Sequence, residues 1–195
     1  MIKITVAVAA VALALTACGG PVQMGSAATL GDDRISDSTL NEAVSDWQDA
    51  YKANPLPAQD VHLADPASIR RSVLVGLVLF RVADQMADDN GITVTDAEID
   101  QAIKANGGEA EVTRAALGQG VSPEHTRDFL KYVLVNQKIA AGSTSQEEAD
   151  QKTAAARKKA LGELDIKLNP RFGEMSDAGF GDVVTRLSRP ETGTA

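Results

Sequence analysis

The feature that most constrains this chain is Val73-Leu74-Val75-Gly76-Leu77-Val78-Leu79-Phe80, a run that is apolar on every side. Eight residues cannot cross a bilayer, which needs about 20. A buried strand fits the run taken alone. Arg81 to Asn90 continue in helix-forming residues without a breaker, so the run reads as part of a helix that starts at Asp65-Pro66 and stops at Gly91. Asp65 is then the N-cap, with Pro66 at the first helical position. A helix that is apolar all round has to be the central element that others wrap. The fold class is therefore mainly α, organised around this rod.

The flanking sequence supplies the wrapping. Ala27 to Leu30, Gly31-Asp32-Asp33 and Arg34-Ile35-Ser36 read as a short strand, a tight turn and a return. A helix follows, capped by Ser36 or Asp37, with Leu40, Val44, Trp47 and Tyr51 on one face. Asn54-Pro55-Leu56-Pro57 ends it. Thr95-Asp96-Ala97-Glu98 is a capping box opening a helix with Ile99 and Ile103 on its apolar edge. A short helix spans Glu109 to Leu117. A long one is expected from Pro123 to Ala141, with Ser122 as N-cap and Phe129, Leu130, Val133, Leu134 and Ile139 as its apolar residues. Gly142-Ser143-Thr144 breaks it. Ser145-Gln146-Glu147-Glu148 is a second capping box, opening a helix to Leu164 whose inward stripe is Ala149, Thr153, Ala156, Ala160 and Leu164. Asp165 to Asn169 alternates as a strand and stops at Pro170. A lone strand leaves its backbone groups unpaired. The other convincing strand is near Leu30, so the two ends of the body should meet in a small two-stranded sheet.

The N-terminus carries a separate message. Lys3 precedes an apolar segment from Ile4 to Leu15, and Leu15-Thr16-Ala17-Cys18 closes it. This is the layout of a secretory leader over 1–17 with a lipobox, leaving Cys18 as a lipidated first residue. Residues 18–26 then read as a flexible tether, 27–173 as the helical domain, and 174–195 as a mostly disordered tail with a short ordered piece at Val183 to Leu187. Cys18 is the chain's sole cysteine, so a lipid on it leaves no thiol for a disulfide or a thiolate metal site. The net charge of -8 becomes -9 once Lys3 is removed with the leader. That balance argues against nucleic acid as a partner, since its binding rests on basic residues neutralising phosphates. It also leaves membrane attachment to the lipid itself. The expected location is the extracytoplasmic face of the bacterial cell membrane.

Catalytic signals are sparse. His62 and His125 have no ligand cluster around them in sequence, and neither Asp32-Asp33 nor Asp88-Asp89-Asn90 has calcium-loop spacing. Gly107-Gly108 and Gly118-Gln119-Gly120 lack the Lys-Ser/Thr of a phosphate loop, and no nucleophile elbow is present. No metal, cofactor or catalytic residue is assigned. Aromatic residues are only 4% of the chain. Two pairs of them, Trp47 with Tyr51 and Phe129 with Tyr132, fit either a peptide-binding groove or plain core packing.

Three segments resemble the SurA-like N-terminal chaperone domain of the SurA/PrsA-type foldase family. Ala28-Thr29-Leu30-Gly31-Asp32-Asp33-Arg34-Ile35-Ser36 is similar to its opening strand, turn and capped helix. Ile92-Thr93-Val94-Thr95-Asp96-Ala97-Glu98-Ile99 resembles its "G-I-x-V-(S/T)-D-x-E-(I/V)" stretch. Ile166-Lys167-Leu168-Asn169-Pro170-Arg171-Phe172-Gly173 is similar to a closing strand with "V-N-P-R-(Y/F)-G". The resemblance implies a helical domain whose first and last strands pair, and a job holding unfolded exported chains. Many relatives insert a parvulin prolyl-isomerase domain between the last two long helices. Here Gly142-Ser143-Thr144 stands at that place, far short of the roughly 100 residues of a small domain. The expected function is thus a lipid-anchored chaperone without isomerase activity, not an enzyme. It would bind extended polypeptide between the N-terminal helices and the 94–118 region. An envelope assembly subunit that binds one folded partner is the alternative, and a degenerate isomerase using His62 or His125 is a third reading.

Overall fold

The computed structural model describes residues 25–65 and 68–173, and the backbone of 175–176 and 179–180. The expected leader, Cys18, most of the tether, Pro66 and the 183–187 piece lie outside the described residues.

Strand β1 (Ser26–Leu30) turns through Gly31, whose φ of 58° lies in the left-handed region, into strand β2 (Asp33–Ser36). Strand β3 (Ile166–Leu168) lies antiparallel along the other edge of β1, with Leu30 opposite Ile166 and Ala28 opposite Leu168. The sheet thus has three strands in the order β2-β1-β3, one more than the two-stranded ribbon expected. The reason is that β1 is buried and has backbone groups to satisfy on both edges. The closing segment locks this ribbon. Asn169 donates from its backbone N to Ala27 O at 2.8 Å and from Nδ2 to Ser26 O at 3.2 Å. Phe172 is buried in the core, with Arg171 over its ring and also paired to Asp37.

Helix α1 (Asp37–Ala53) is capped by Ser36, whose Oγ accepts from Thr39 N at 3.0 Å. It buries Leu40, Ala43 and Trp47. Helix α2 (Ile69–Asp89) is the apolar rod, and it packs against α1 and the two last helices. Leu74, Val78, Val82 and Met86 are completely shielded from solvent. Its N-cap is Ser68, not Asp65: Ser68 Oγ accepts from Arg71 N at 3.3 Å. Asp65 instead pairs through its carboxylate with Arg71 at 3.2 Å and through its backbone with Ser72 Oγ. Gly91, with φ of 62°, follows the helix end as expected.

Helix α3 (Asp96–Ala105) begins at the reciprocal Thr95/Glu98 box, and helix α4 (Glu109–Gly118) follows after Gly107-Gly108. A 3₁₀ turn (Pro123–His125) separates α4 from helix α5 (Thr126–Ala140), where one continuous helix from Pro123 was expected. Ser122 makes no side-chain cap, and Thr126 Oγ1 bonds back to Pro123 O at 2.8 Å, closing the tighter turn. Val135, absent from the expected apolar set of α5, is its most deeply buried residue. Helix α6 (Gln146–Glu163) is capped by Ser145, but the reach-back is displaced by one residue. Glu148 accepts from the backbone and hydroxyl of Thr144 rather than from Ser145, so the second box is not reciprocal. A strand pair at Met175–Ser176 and Gly179–Phe180 follows, in a stretch read from sequence as tail.

Candidate functional site

Two helices and a proline-flanked loop make a cleft of about 430 Å³. Ala50 of α1 and its C-cap Asn54 form one wall, Leu56 lies at the base, and α4 forms the other wall from Glu109 to Leu117. The base is apolar: Leu56 is 6% exposed and Leu117 is 4% exposed. This lies between the N-terminal helices and the 94–118 region.

Three local interactions set the width. Trp47 Nε1 donates to Leu117 O at 2.8 Å, tying α1 to the last turn of α4. That bond satisfies the one polar atom of an indole that is only 7% exposed. His62 N donates to Gly118 O at 2.7 Å, which lays the 55–63 loop across the end of α4. Gly118 permits this approach, because a Cβ there would stand 2.3 Å from the Asp60 carbonyl oxygen. Arg114 and Asp60 then bridge helix and loop at 3.6 Å. A smaller hollow of about 290 Å³ continues around Arg114 and is lined by His62 and Gln119.

A second cavity, of about 370 Å³, is lined by α2 from Leu77 to Asp84, by Arg34 and Thr39 near the start of α1, and by His125 to Tyr132. Its charges are mostly matched. Lys131 meets Asp84 at 2.6 Å, with Arg81 3.7 Å from the same carboxylate, and His125 Nδ1 lies 2.9 Å from Asp128. The Asp128 bond raises the His125 pKa above its usual value against the effect of burial, and His125 in turn lowers that of Asp128.

The aromatic residues singled out by sequence do not share one groove. Trp47 and Tyr51 stack on α1 with ring centroids 4.9 Å apart, Trp47 in the core and Tyr51 half-buried. Tyr132 lines the second cavity, and its hydroxyl accepts from Arg157 at 3.4 Å. Phe129 is half-buried and lines neither space. The α1–α4 cleft is lined instead by aliphatic residues, Ala50, Leu56, Ala110 and Leu117, together with the polar Asn54, Glu109, Glu111 and Arg114. Pro55-Leu56-Pro57 was its one readable mark, a buried leucine held in an otherwise exposed loop. The two histidines stand in different hollows, and among the described residues no three His, Cys, Asp or Glu side chains are placed to hold a metal ion. Among the same residues, no helix is long and apolar enough to cross a membrane.

Comparison with known proteins gives a consistent answer. The SurA-like N-terminal domain model matches residues 1–114. Chaperone SurA of Xanthomonas euvesicatoria pv. vesicatoria (strain 85-10) is 32% identical over 147 residues, covering 70% of this chain and 30% of the relative. Chaperone SurA of Legionella pneumophila (strain Lens) is 30% identical over 135 residues, or 64% and 30% of the two chains. That of Nitrosospira multiformis is 35% identical over 85 residues, or 41% and 19%. The chain thus spans less than a third of the length of these relatives. No solved structure matches it significantly. The capped opening hairpin and the Thr95 box both fall within the matched residues, and this chain belongs to the SurA-like N-terminal domain family.

Proposed function

We propose that this protein is a holding chaperone of the cell envelope, anchored by lipid on Cys18, that takes extended segments of unfolded exported polypeptides into the α1–α4 cleft. The observation that carries this reading is the cleft itself, an open space with Leu56 and Leu117 at its base. Such a surface binds by burying apolar area at about 25 cal/mol per Å², which is side-chain tolerant and weak at any one site. The SurA relatives carry chaperone names, which supports the same reading. Anchoring would concentrate the cleft where chains emerge from export. Prolyl isomerisation is not part of the proposal. The connection from α5 to α6 is only residues 141–145, at the place where the family resemblance implies an inserted parvulin domain.

The full chain at several-fold molar excess should suppress aggregation of several unrelated unfolded proteins while leaving proline-peptide isomerisation at its uncatalysed rate. No suppression with any client overturns the holding role. In-cell crosslinking that yields one strong folded partner, rather than many faint ones, supports the assembly-subunit reading instead. Mass analysis of the membrane fraction should find acyl chains on Cys18, and Cys18→Ala should release the chain from that fraction.

A further inference from the structure

The rim of the α1–α4 cleft carries two carboxylates on its α4 wall. Glu109 and Glu111 stand exposed in the first turn of α4, and both line the opening. Neither makes a hydrogen bond or ion pair among the described residues. Arg114 lies on the same wall, but Asp60 offsets its charge at 3.6 Å. The facing wall offers Ala50 and Asn54, which carry no charge. Acids in the first turn stabilise a helix through its dipole, which accounts for carboxylates at the start of α4. It does not account for their standing beside an apolar base with no cation opposite. Polypeptide entering this cleft would displace water from the exposed Ala110 and Pro123, beside the buried Leu56 and Leu117, while passing two unpaired carboxylates.

We infer that the cleft selects extended segments in which a bulky apolar side chain lies next to Lys or Arg. This rests on the reading of the cleft as a polypeptide site and adds the class of polypeptide it takes. The apolar side chain packs against Ala110 and Pro123 above the Leu56 and Leu117 floor, and the neighbouring cation reaches Glu109 or Glu111. A space of about 430 Å³ is at the small end of ligand sites, which run from about 300 to 1,000 Å³, so it admits one or two side chains rather than a folded surface. Segments flanked by Asp or Glu meet like charge at the same rim, and that repulsion is the discriminating element.

The test uses the full chain and three fluorescent unstructured peptides with the same central leucine and phenylalanine, flanked by lysine, glutamine or glutamate. Binding is followed by anisotropy at low and high salt. At low salt the lysine-flanked peptide should bind about tenfold tighter than the glutamate-flanked one, with the glutamine-flanked peptide between them, and the spread should collapse in high salt. In the E109Q/E111Q chain the spread among the three peptides should fall below about twofold, since the rim charge is removed. Equal binding of all three peptides overturns the inference and leaves the holding role standing. Failure of all three to bind overturns both. A spread that persists unchanged in E109Q/E111Q overturns the assignment to this rim.

Discussion

The body around α2 and the arm formed by α3 and the outer face of α4 are held by different forces. In the body, Leu40, Leu74, Val78, Val82, Met86 and Val135 are completely or almost completely buried, and the β1–β3 ribbon closes over one end. The arm rests on a cluster of three buried apolar residues, its own Ile99 and Val112 and Leu130 of α5. Much of its remaining attachment to α5 is ionic: Arg127 bonds Asp96 at 3.1 Å and Asp100 at 2.8 Å, and Lys138 bonds Glu98 at 2.6 Å. Exposed pairs of this kind add little each and weaken with salt, whereas apolar burial does not. Gly91 on one side and Gly120 on the other, both at positive φ, bracket the arm. The difference teaches where the molecule can yield. One wall of the cleft belongs to α4, whose last turn is in the main core through Leu117 and whose middle rests on the smaller cluster through Val112.

The sharpest way to break this comparison is to truncate one side chain in each region. Leu74→Ala removes a fully shielded side chain from the middle of the rod and should cost about 2–5 kcal/mol in denaturant unfolding. Ile99→Ala should cost about 2 kcal/mol, at the low end of that range, because a three-residue cluster near the surface can relax inward. Its effect on amide exchange should be confined to 92–118. Equal losses, with α2 amides loosened by both variants, would show a single cooperative unit and end the distinction.

A second substitution addresses the seam between the regions. Gly118→Ala sets a methyl group 2.3 Å from the Asp60 carbonyl oxygen, a backbone atom that moves only if the whole 55–63 loop moves. Overpacking of this sort costs about 1–3 kcal/mol. The expected result is moderate destabilisation with a large loss of client binding, because the Leu56 base of the cleft shifts with the loop. A chain that loses stability but holds clients as before would place binding elsewhere.

Much of the body was legible from residues close together in sequence. The all-apolar run needed a central position, and the alternating Asp165 to Asn169 segment needed a partner that only the strand near Leu30 offered. Caps that involve one or two residues were read less well. Asp65-Pro66 looked like a helix start because Asp and Pro suit those positions, yet Asp65 is drawn to Arg71 and Ser68 takes the cap. The cleft was legible in place but not in composition. The aromatic pairs fitted either a groove or core packing, and Trp47 packs in the core with its indole N–H on Leu117 O. The loop laid over Gly118 left no periodic mark, since its position follows from a close backbone approach that only the folded chain defines.

A smaller effect tests whether the arm depends on its cap. Thr95 Oγ1 accepts from Glu98 N, and Thr95 N donates back to the Glu98 carboxylate at 2.8 Å. Thr95→Ala should cost about 1 kcal/mol, the usual worth of an N-cap, and should speed exchange in the first turn of α3 alone. Adding salt should widen the gap between α3 and α2 protection in this variant. If α2 loosens equally, the arm is not an independent unit.

The mildest probe is pH, and the two ends of the arm should respond in opposite directions. The Lys138 ammonium, followed by the Thr95 backbone N–H, pushes the Glu98 pKa from 4.5 down to about 2. A lowered folded value stabilises the arm fully above about pH 4.5 and is lost as pH falls toward 2. At the corner between α4 and α5, the hydrogen bond to Asp128 holds His125 above its usual 6.5. A raised folded value stabilises that corner fully below pH 6.5 and is lost as pH rises through the higher value. Asp128, lowered from 3.8 by the same bond, contributes above pH 3.8 and is lost in acid as its depressed value is passed. Exchange measured from pH 2 to 9, corrected for intrinsic rates, should therefore show α3 opening as pH falls from 4.5 toward 2 and the 122–128 corner loosening as pH rises from 6.5 through the raised His125 value. Glu98→Gln should abolish the first response and leave the second, and His125→Gln should do the reverse. If either variant removes both responses, the arm titrates as one coupled network and the contrast with the body has to be drawn at a different boundary.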